Sequence, residues 1–340
     1  MPRELTWEQG WRWWEAELAA WEGEAAARLP LLRLEQQAAL SAESRLALIL
    51  VGLVEEDSRF GTVFARLQEP LPGRRPTVEL LGQIVRGAAD TSPDGRSLAR
   101  ALLDLGLVEA INPEAARAEW ALRVPGEIWD AVRGDLPGRR GGWTYHPPEQ
   151  FPPIDQLTLP GHVRRSGWRE APAVLLSGKA RTLVVRGTAG SDRLRALGAI
   201  GRAMGVGVLA VDGAGLAEGT GRSLGPLCTM IGALPVITYD LAPGETVQPP
   251  ELAAYDGPLG VILGAEGGLH GGARSGEAAL TLRVPPLKVE QRLRCWQAAL
   301  SEPSPDLAAD RPALPSARRP HPPRGRDGRR PTRRWPAAAP

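Results

Sequence analysis

Apolar positions in the first part of the chain recur every three to four residues. Trp7, Trp11, Trp14, Leu18 and Trp21 are spaced by 4, 3, 4 and 3, which aligns them on one stripe of an α-helix, with Glu8, Glu15, Glu17 and Glu22 on other faces. A stripe of that size has to be covered, because exposed it would invite aggregation. Packing against the following domain is the first expectation, and docking of a protein partner the second. From Ser41, which is placed to cap, Leu46, Ile49, Leu50 and Leu53 form the apolar face of a helix that Glu55, Glu56 and Asp57 end. A further helix carries Phe60, Val63, Phe64 and Leu67.

After a loop at Arg74, Arg75 and Pro76, Thr77 starts a helix through Leu80, Leu81, Ile84 and Val85. Ser92 before Pro93 is a cap-and-first-position signal for the next, which runs through Leu98, Ala101, Leu102 and Leu105 and stops at Gly106. The period then changes. Residues 107–111 and 120–124 read as short strands around an Asn112-Pro113 turn, and Pro125 opens a helix with Ile128, Trp129 and Val132. Helix, helix, hairpin and helix is the order of a winged-helix variant, so residues 1–135 are expected to form a Trp-rich helix followed by a helical and winged-helix-like domain.

Pro137, Pro147, Pro148, Pro152, Pro153 and Pro160 are too many to sit inside helix or sheet, so residues 136–172 are expected to be an interdomain linker, with a short helical stretch at 163–168. From Thr182 strand and helix alternate: strands at 183–185, 206–211, 235–239, 259–263 and 279–284, helices at 193–204, 224–231 and 289–300. Short, wholly apolar strands between amphipathic helices predict a parallel sheet covered on both faces, a nucleotide-fold pattern, over residues 173–300. Residues 301–340 hold ten prolines and nine arginines with scarcely any large apolar side chain, so a disordered tail is expected.

Composition adds bounds. With 340 residues, 43% hydrophobic and 24% charged, the chain is too long for a miniprotein and too ordinary for a fibre. No run of about 18 consecutive apolar residues occurs and no signal-peptide core follows Met1, which predicts a cytoplasmic protein with no membrane partner. Cys228 and Cys295 are far apart and without nearby His, so they suggest neither a disulfide framework nor a zinc site. Of the 41 basic residues only Lys179 and Lys288 are lysines, a bias that GC-rich coding produces without selection for nucleic acid. The tail carries nine Arg against four acids, or +5, which leaves −3 on the first 300 residues of a chain with net charge +2.

One turn is chemically informative. After the first strand of the α/β region runs Arg186-Gly187-Thr188-Ala189-Gly190-Ser191-Asp192-Arg193-Leu194. A P-loop, here Gly-x-x-Gly-x-Gly-Lys-[Ser/Thr], wraps phosphates in backbone N–H groups, bridges them with Lys and holds Mg²⁺ with the hydroxyl. Gly187 and Gly190 keep register with it, and Ser191 and Arg193 complete the candidate nucleotide-binding set. Asp192 stands in place of a glycine, Arg193 in place of the lysine and Leu194 in place of the hydroxyl. The loop is therefore degenerate: a metal ligand is lost, a carboxylate faces the phosphates, and a planar fork replaces a compact ammonium.

Lys179, in Ser177-Gly178-Lys179, precedes the strand and cannot serve the loop. Asp240, ending Val236-Ile237-Thr238-Tyr239-Asp240-Leu241, is the candidate for a Walker B carboxylate, but Leu241 follows where a water-activating glutamate would be. His146, His162, His270 and His321 are scattered and are given no catalytic or metal role, and the glycines between Gly264 and Gly276 read as a flexible loop. No catalytic residue is assigned.

This arrangement resembles the N-terminal half of bacterial AAA+ ATPases, in which a degenerate first AAA+ module precedes a competent one. The resemblance is carried by Val184-Val185-Arg186-Gly187-x-x-Gly190-Ser191, by Leu209-Ala210-Val211-Asp212, and by residues 50–77 with Arg66-Leu67-Gln68 and Arg75-Pro76-Thr77. Residues 290–296, with Arg292, are similar to the segment after the last sheet strand of such a core. It implies a P-loop NTPase-like fold, ATP or ADP with Mg²⁺ as a cofactor held weakly or not at all, and ATP hydrolysis as the family's activity. No lid, sensor arginine, arginine finger or second module is seen after Leu300, so a truncated or regulatory half, acting in assembly or partner binding, is expected. Its partners would be proteins, met through the N-terminal helix and the winged-helix-like region. The alternative is a winged-helix DNA-binding protein with an accessory α/β domain. Residues 76–135 carry six Arg against ten acids, a balance of −4, which is the wrong sign for tracking phosphates.

Overall fold

A computed structural model describes residues 6–24, 29–71, 73–88, 94–136, 142–157, 159, 165–188, 191–216, 221–270, 278–286, 289–290 and 292–293. The expected cap at Ser92-Pro93, residue Gly190, the glycines 271, 272 and 276, most of the helix expected at 289–300 and the whole tail 301–340 lie outside these. The chain divides into two compact units, Met1–Lys288 and Val289–Pro340. In the second, the described residues Val289, Glu290, Arg292 and Leu293 are helical.

The first unit opens with helices α1 (Trp7–Glu24), α2 (Pro30–Ala38), α3 (Ala42–Glu56), α4 (Ser58–Leu67), α5 (Val78–Ala88) and α6 (Gly95–Asp104). Their starts are chemically defined. Ser41 accepts from the Ser44 N–H at α3, Asp57 from Arg59 at α4, and Asp94 from the Ser97 N–H at 2.8 Å at α6. The cap of α6 is thus Asp94 and not Ser92. The sequence pattern leaves α2 unassigned, because it is only nine residues long; its Leu34 is fully buried and it packs on the helix Gly221–Ile231.

The buried face of α3 is rotated from the one expected. Ser44, Ala47, Leu48, Val51 and Gly52 are buried, whereas Leu46, Ile49, Leu50 and Leu53 are only half-buried. Small residues win this face because an aromatic ring has to lie on it: a Cβ at Gly52 would stand 2.0 Å from the Trp129 ring. The Trp129 indole N–H reaches Glu56 Oε1 at 2.7 Å.

Next come β1 (Glu109–Ala110) and β2 (Leu122–Arg123), an antiparallel ladder, and α7 (Gly126–Arg133). The order helix, helix, two-stranded ladder, helix is present, with strands of two residues each. Asn112 holds the connection together, donating to Glu119 O at 3.0 Å and accepting from the Ala121 N–H at 2.7 Å.

The remainder is β3 (Trp143–His146), α8 (Arg165–Leu176), β4 (Thr182–Gly187), α9 (Arg193–Ala203), β5 (Gly207–Asp212), α10 (Gly213–Gly215), α11 (Gly221–Ile231), β6 (Ala233–Tyr239), β7 (Thr246–Val247), β8 (Leu259–Leu263), β9 (Gly268–Leu269) and β10 (Ala279–Val284). The fold is mixed α/β. Six strands make one sheet in the order β10-β4-β8-β6-β5-β3, parallel except for β3, which runs antiparallel to β5 at the edge. Trp143–His146 lie inside the stretch expected to be a linker. They can pair because Pro147, Pro148, Pro152 and Pro153 all come after them and fall in 3-10 turns and loops beyond the strand, while Pro137 and Pro160 lie outside the described residues.

Strand side chains alternate between two cores. Leu183, Val185, Val208, Val236 and Ile262 join α8, α9 and Phe151 on one face; Val184, Leu209, Val211, Ile237 and Val261 join the other. That second core continues without a break into Leu34, Leu48, Leu81, Leu102, Leu122 and Ile128 of the helical region. The N-terminal helices and α11 are therefore the cover of one sheet face, which is why the strands read as apolar throughout. Of the tryptophan stripe of α1, Trp14 is 48% and Trp21 58% exposed. Among the described residues, no helix is long and apolar enough to cross a membrane.

Candidate functional site

In an open parallel sheet, ligands settle beyond the C-terminal strand ends where neighbouring strands send their connections in opposite directions. Here β4 is followed by β5, on one side of it, while its neighbour β8 is followed by β10, on the other. The switch point lies between the C-terminal ends of β4 and β8. The turn singled out in the sequence, 187–193, leaves β4 at that place.

Its described residues crowd together. A Cβ at Gly187 would come within 2.4 Å of Ser191 Oγ and 2.7 Å of Val284 O, so only glycine fits under the turn. Thr188 O accepts from both the N–H of Ser191, at 3.0 Å, and its hydroxyl, at 2.7 Å. The Arg193 N–H donates to Ser191 O at 2.7 Å, and its guanidinium Nη1 donates to Leu263 O, the last carbonyl of β8, at 2.8 Å. Asp192 is exposed at the start of α9 and makes no capping bond; Leu194 is half-buried against the α8–α9 core.

A second arginine acts nearby. Arg186 Nη1 reaches Gly267 O at 2.9 Å, tying β4 to the loop after β8. That loop also forms the small parallel pair β7–β9, with Gly268 N–H on Glu245 O at 2.8 Å. Sequence reasoning took Arg186 as part of a motif and gave it no role; an arginine ending an otherwise apolar strand is the signal that could have found it.

Gly187, Ser191 and Arg193 are thus brought together, and Gly190 lies outside the described residues. Asp240 is exposed, one residue past β6. The register Arg186, Leu263, Tyr239 across β4, β8 and β6 puts Asp240 on the same sheet edge as Gly187. Two strand spacings separate them, about 10 Å, far enough that they meet only through a ligand. Among the described residues, no three His, Cys, Asp or Glu side chains gather as metal ligands.

Two cavities lie elsewhere, and neither is lined by a residue of the 187–193 turn. One, of 270 Å³, opens at the opposite sheet edge beside Cys228, Thr229 and Tyr255. Burial pushes the Cys228 thiol and the Tyr255 hydroxyl well above their usual pKa values, and the Tyr255 hydroxyl donates to Pro258 O at 3.0 Å. The other, of 410 Å³, lies between α6 and the 117–120 turn; Arg96, Arg100 and Arg117 line it with Asp104, and Arg117 stacks on Trp120 with 5.8 Å to the ring centre. The sequence analysis missed this cluster, although Arg96 and Arg100 stand one helical turn apart. No protein-family model matches the chain, and no curated protein does either.

Proposed function

We propose that the chain is an AAA+-related module whose nucleotide site has closed on itself, and that it acts in assembly or partner binding rather than in hydrolysis. One observation supports this reading: the described groups of the turn at the switch point bond to the protein itself. The Ser191 N–H and hydroxyl are used by Thr188 O, and Arg193 reaches past the turn to Leu263 O. In a working phosphate loop the backbone N–H groups and the cation face the ligand. Leu194 offers Mg²⁺ no oxygen, and the exposed carboxylate of Asp192 opposes phosphate where a helix N-terminus would otherwise attract it.

What the sheet still does in this reading is to hold a rigid α/β body covered on one face by the helical region, leaving α1 and the α5–α6–β1–β2 region for protein partners. Calorimetry of the full chain with ATP and with ADP, each with and without Mg²⁺, tests it. No heat of binding is expected in any of the four titrations. Micromolar, Mg²⁺-dependent affinity would overturn the closed-turn reading and restore Arg193 and Asp240 as candidate nucleotide-site residues.

A further inference from the structure

Two glycines fix the helix that carries the 410 Å³ cavity between α6 and the 117–120 turn. A Cβ at Gly95, the first residue of α6, would stand 2.3 Å from Val78 O and 3.0 Å from the Gly82 Cα, so α5 and α6 touch backbone to backbone. From that contact Arg96, Arg100 and Asp104 follow one another along α6 at intervals of four residues, all of them lining the cavity. Ala99 is buried, Leu103 and Trp120 are half-buried, and the arginines are exposed, which gives an apolar floor under a cationic rim. The far wall is held as well: the Trp120 indole N–H donates to Ala115 O at 3.0 Å, and the Arg117 guanidinium lies 5.8 Å from the centre of its ring.

Arginines elsewhere in the fold are engaged by the protein. Arg75 pairs with Glu55 and Arg123 with Glu109, and Arg186 and Arg193 donate to main-chain carbonyls. Among the described residues, no carboxylate or carbonyl accepts from Arg96, Arg100 or Arg117, and Arg100 is not ion-paired even with Asp104 one turn on. Asp94, beside Arg96, is occupied in capping Ser97. Three guanidinium groups thus converge on one cavity in a region, residues 76–135, whose own balance is −4.

That contrast says what fits. A nucleic acid tracking the surface is repelled by the acidic surroundings, whereas a carboxylate that enters the cavity meets arginines first. Asp104 stands eight residues beyond Arg96, about 12 Å along the helix, and gives the cavity a direction, with anions favoured at the Arg96–Arg100 end. Small ligands are mostly engulfed by their sites, but here the charged rim stays open to solvent, which suits side chains projecting from a larger body.

We propose that this cavity docks a partner protein by an acidic segment with an apolar anchor. Asp or Glu side chains of the partner meet Arg96, Arg100 and Arg117 in forked hydrogen bonds, and a neighbouring apolar side chain covers Leu103 and Trp120. This inference rests on the partner-binding reading above and names the partner chemistry that reading leaves open.

The test selects a random library of short displayed peptides on the full chain and on a charge-reversed chain carrying Arg96→Glu and Arg100→Glu. The parent is expected to enrich peptides that combine Asp or Glu with a large apolar residue, and the reversed chain to enrich Lys or Arg in their place, a gain that misfolding cannot imitate. The best parental peptide is then synthesised and titrated. Its binding weakens as salt is raised, because the rim is exposed. Arg100→Gln costs about tenfold or more in affinity, the worth of one charge-assisted hydrogen bond, and leaves the urea midpoint where it was. Arg123→Gln removes a charge from the same region outside the cavity and changes affinity by less than about twofold.

No enrichment, enrichment of basic or purely apolar peptides on the parent, or the same peptides on both chains would each overturn the proposal. So would binding of a short DNA duplex that Arg100→Gln abolishes. The nucleotide titrations separate this failure from that of the closed turn. Mg·ATP heat that survives Arg100→Gln overturns the closed turn and leaves the cavity standing, heat that Arg100→Gln abolishes makes the cavity a nucleotide site and overturns the acidic segment, and a failed selection leaves the closed turn untouched.

Discussion

A methyl group at Gly225 would stand 1.9 Å from the carbonyl oxygen of Ala253 and 3.0 Å from its carbonyl carbon. The obstacle is backbone, which cannot swing away as a side-chain tip can, and it belongs to the loop that also holds half-buried Tyr255. Gly225→Ala is therefore expected to destabilise the protein by about 2–3 kcal/mol, an overpacking cost that urea unfolding would read as a lower midpoint at unchanged slope. A variant as stable as the parent would show that the 248–258 loop yields. The same logic of single atoms governs the candidate site. The Arg193 guanidinium donates to Leu263 O, and that one hydrogen bond ties the turn after β4 to the end of β8.

At the scale of elements, α6 depends on its cap. Asp94 accepts from the Ser97 side chain and from its N–H, and these bonds hold its carboxyl below the usual 3.8. A carboxylate lowered by folding contributes stability above its unfolded value, and that contribution is lost as pH falls through the folded one. Asp94→Ala is thus expected to lower the urea midpoint at neutral pH and to make no difference in strong acid; an equal loss at both would mean that the charge of the cap is irrelevant. The cap also marks the limit of what sequence shows. Helix starts were legible where a capping residue stood directly before an apolar period, as at Ser41, but Ser92-Pro93 and Asp94 compete and only packing chooses. Strand positions in the α/β region were legible because both sheet faces are covered, so each strand is a short apolar run. The edge strand Trp143–His146 was not, since it is covered on less of its surface and sits among prolines. At the site, Gly187, Ser191 and Arg193 could be singled out from spacing alone, whereas their bonds to Thr188 O and Leu263 O could not, because those acceptors are main-chain atoms that any sequence possesses.

Across the whole first unit, one core joins the helical region to the sheet, and this has a mechanical consequence. Ile128 of α7 is fully buried, α7 packs on α11, and α11 lies against β6, whose Ile237 belongs to the same apolar cluster. A face of the sheet that is covered by residues from so far back in the chain cannot be uncovered without exposing Val184, Leu209 and Val261 to water. The helical region and the sheet should therefore unfold together and not as two modules. Ile128→Ala removes apolar volume about 2–4 kcal/mol deep in stability terms. In native-state hydrogen exchange that loss is expected to appear undiminished at the amides of β5 and β6, although no residue of those strands is altered. If the sheet amides kept their protection while those of α3 and α7 lost theirs, the helical region would be an independent module resting on the sheet. The apolar strands would then have to be stable with one face uncovered, which their composition argues against.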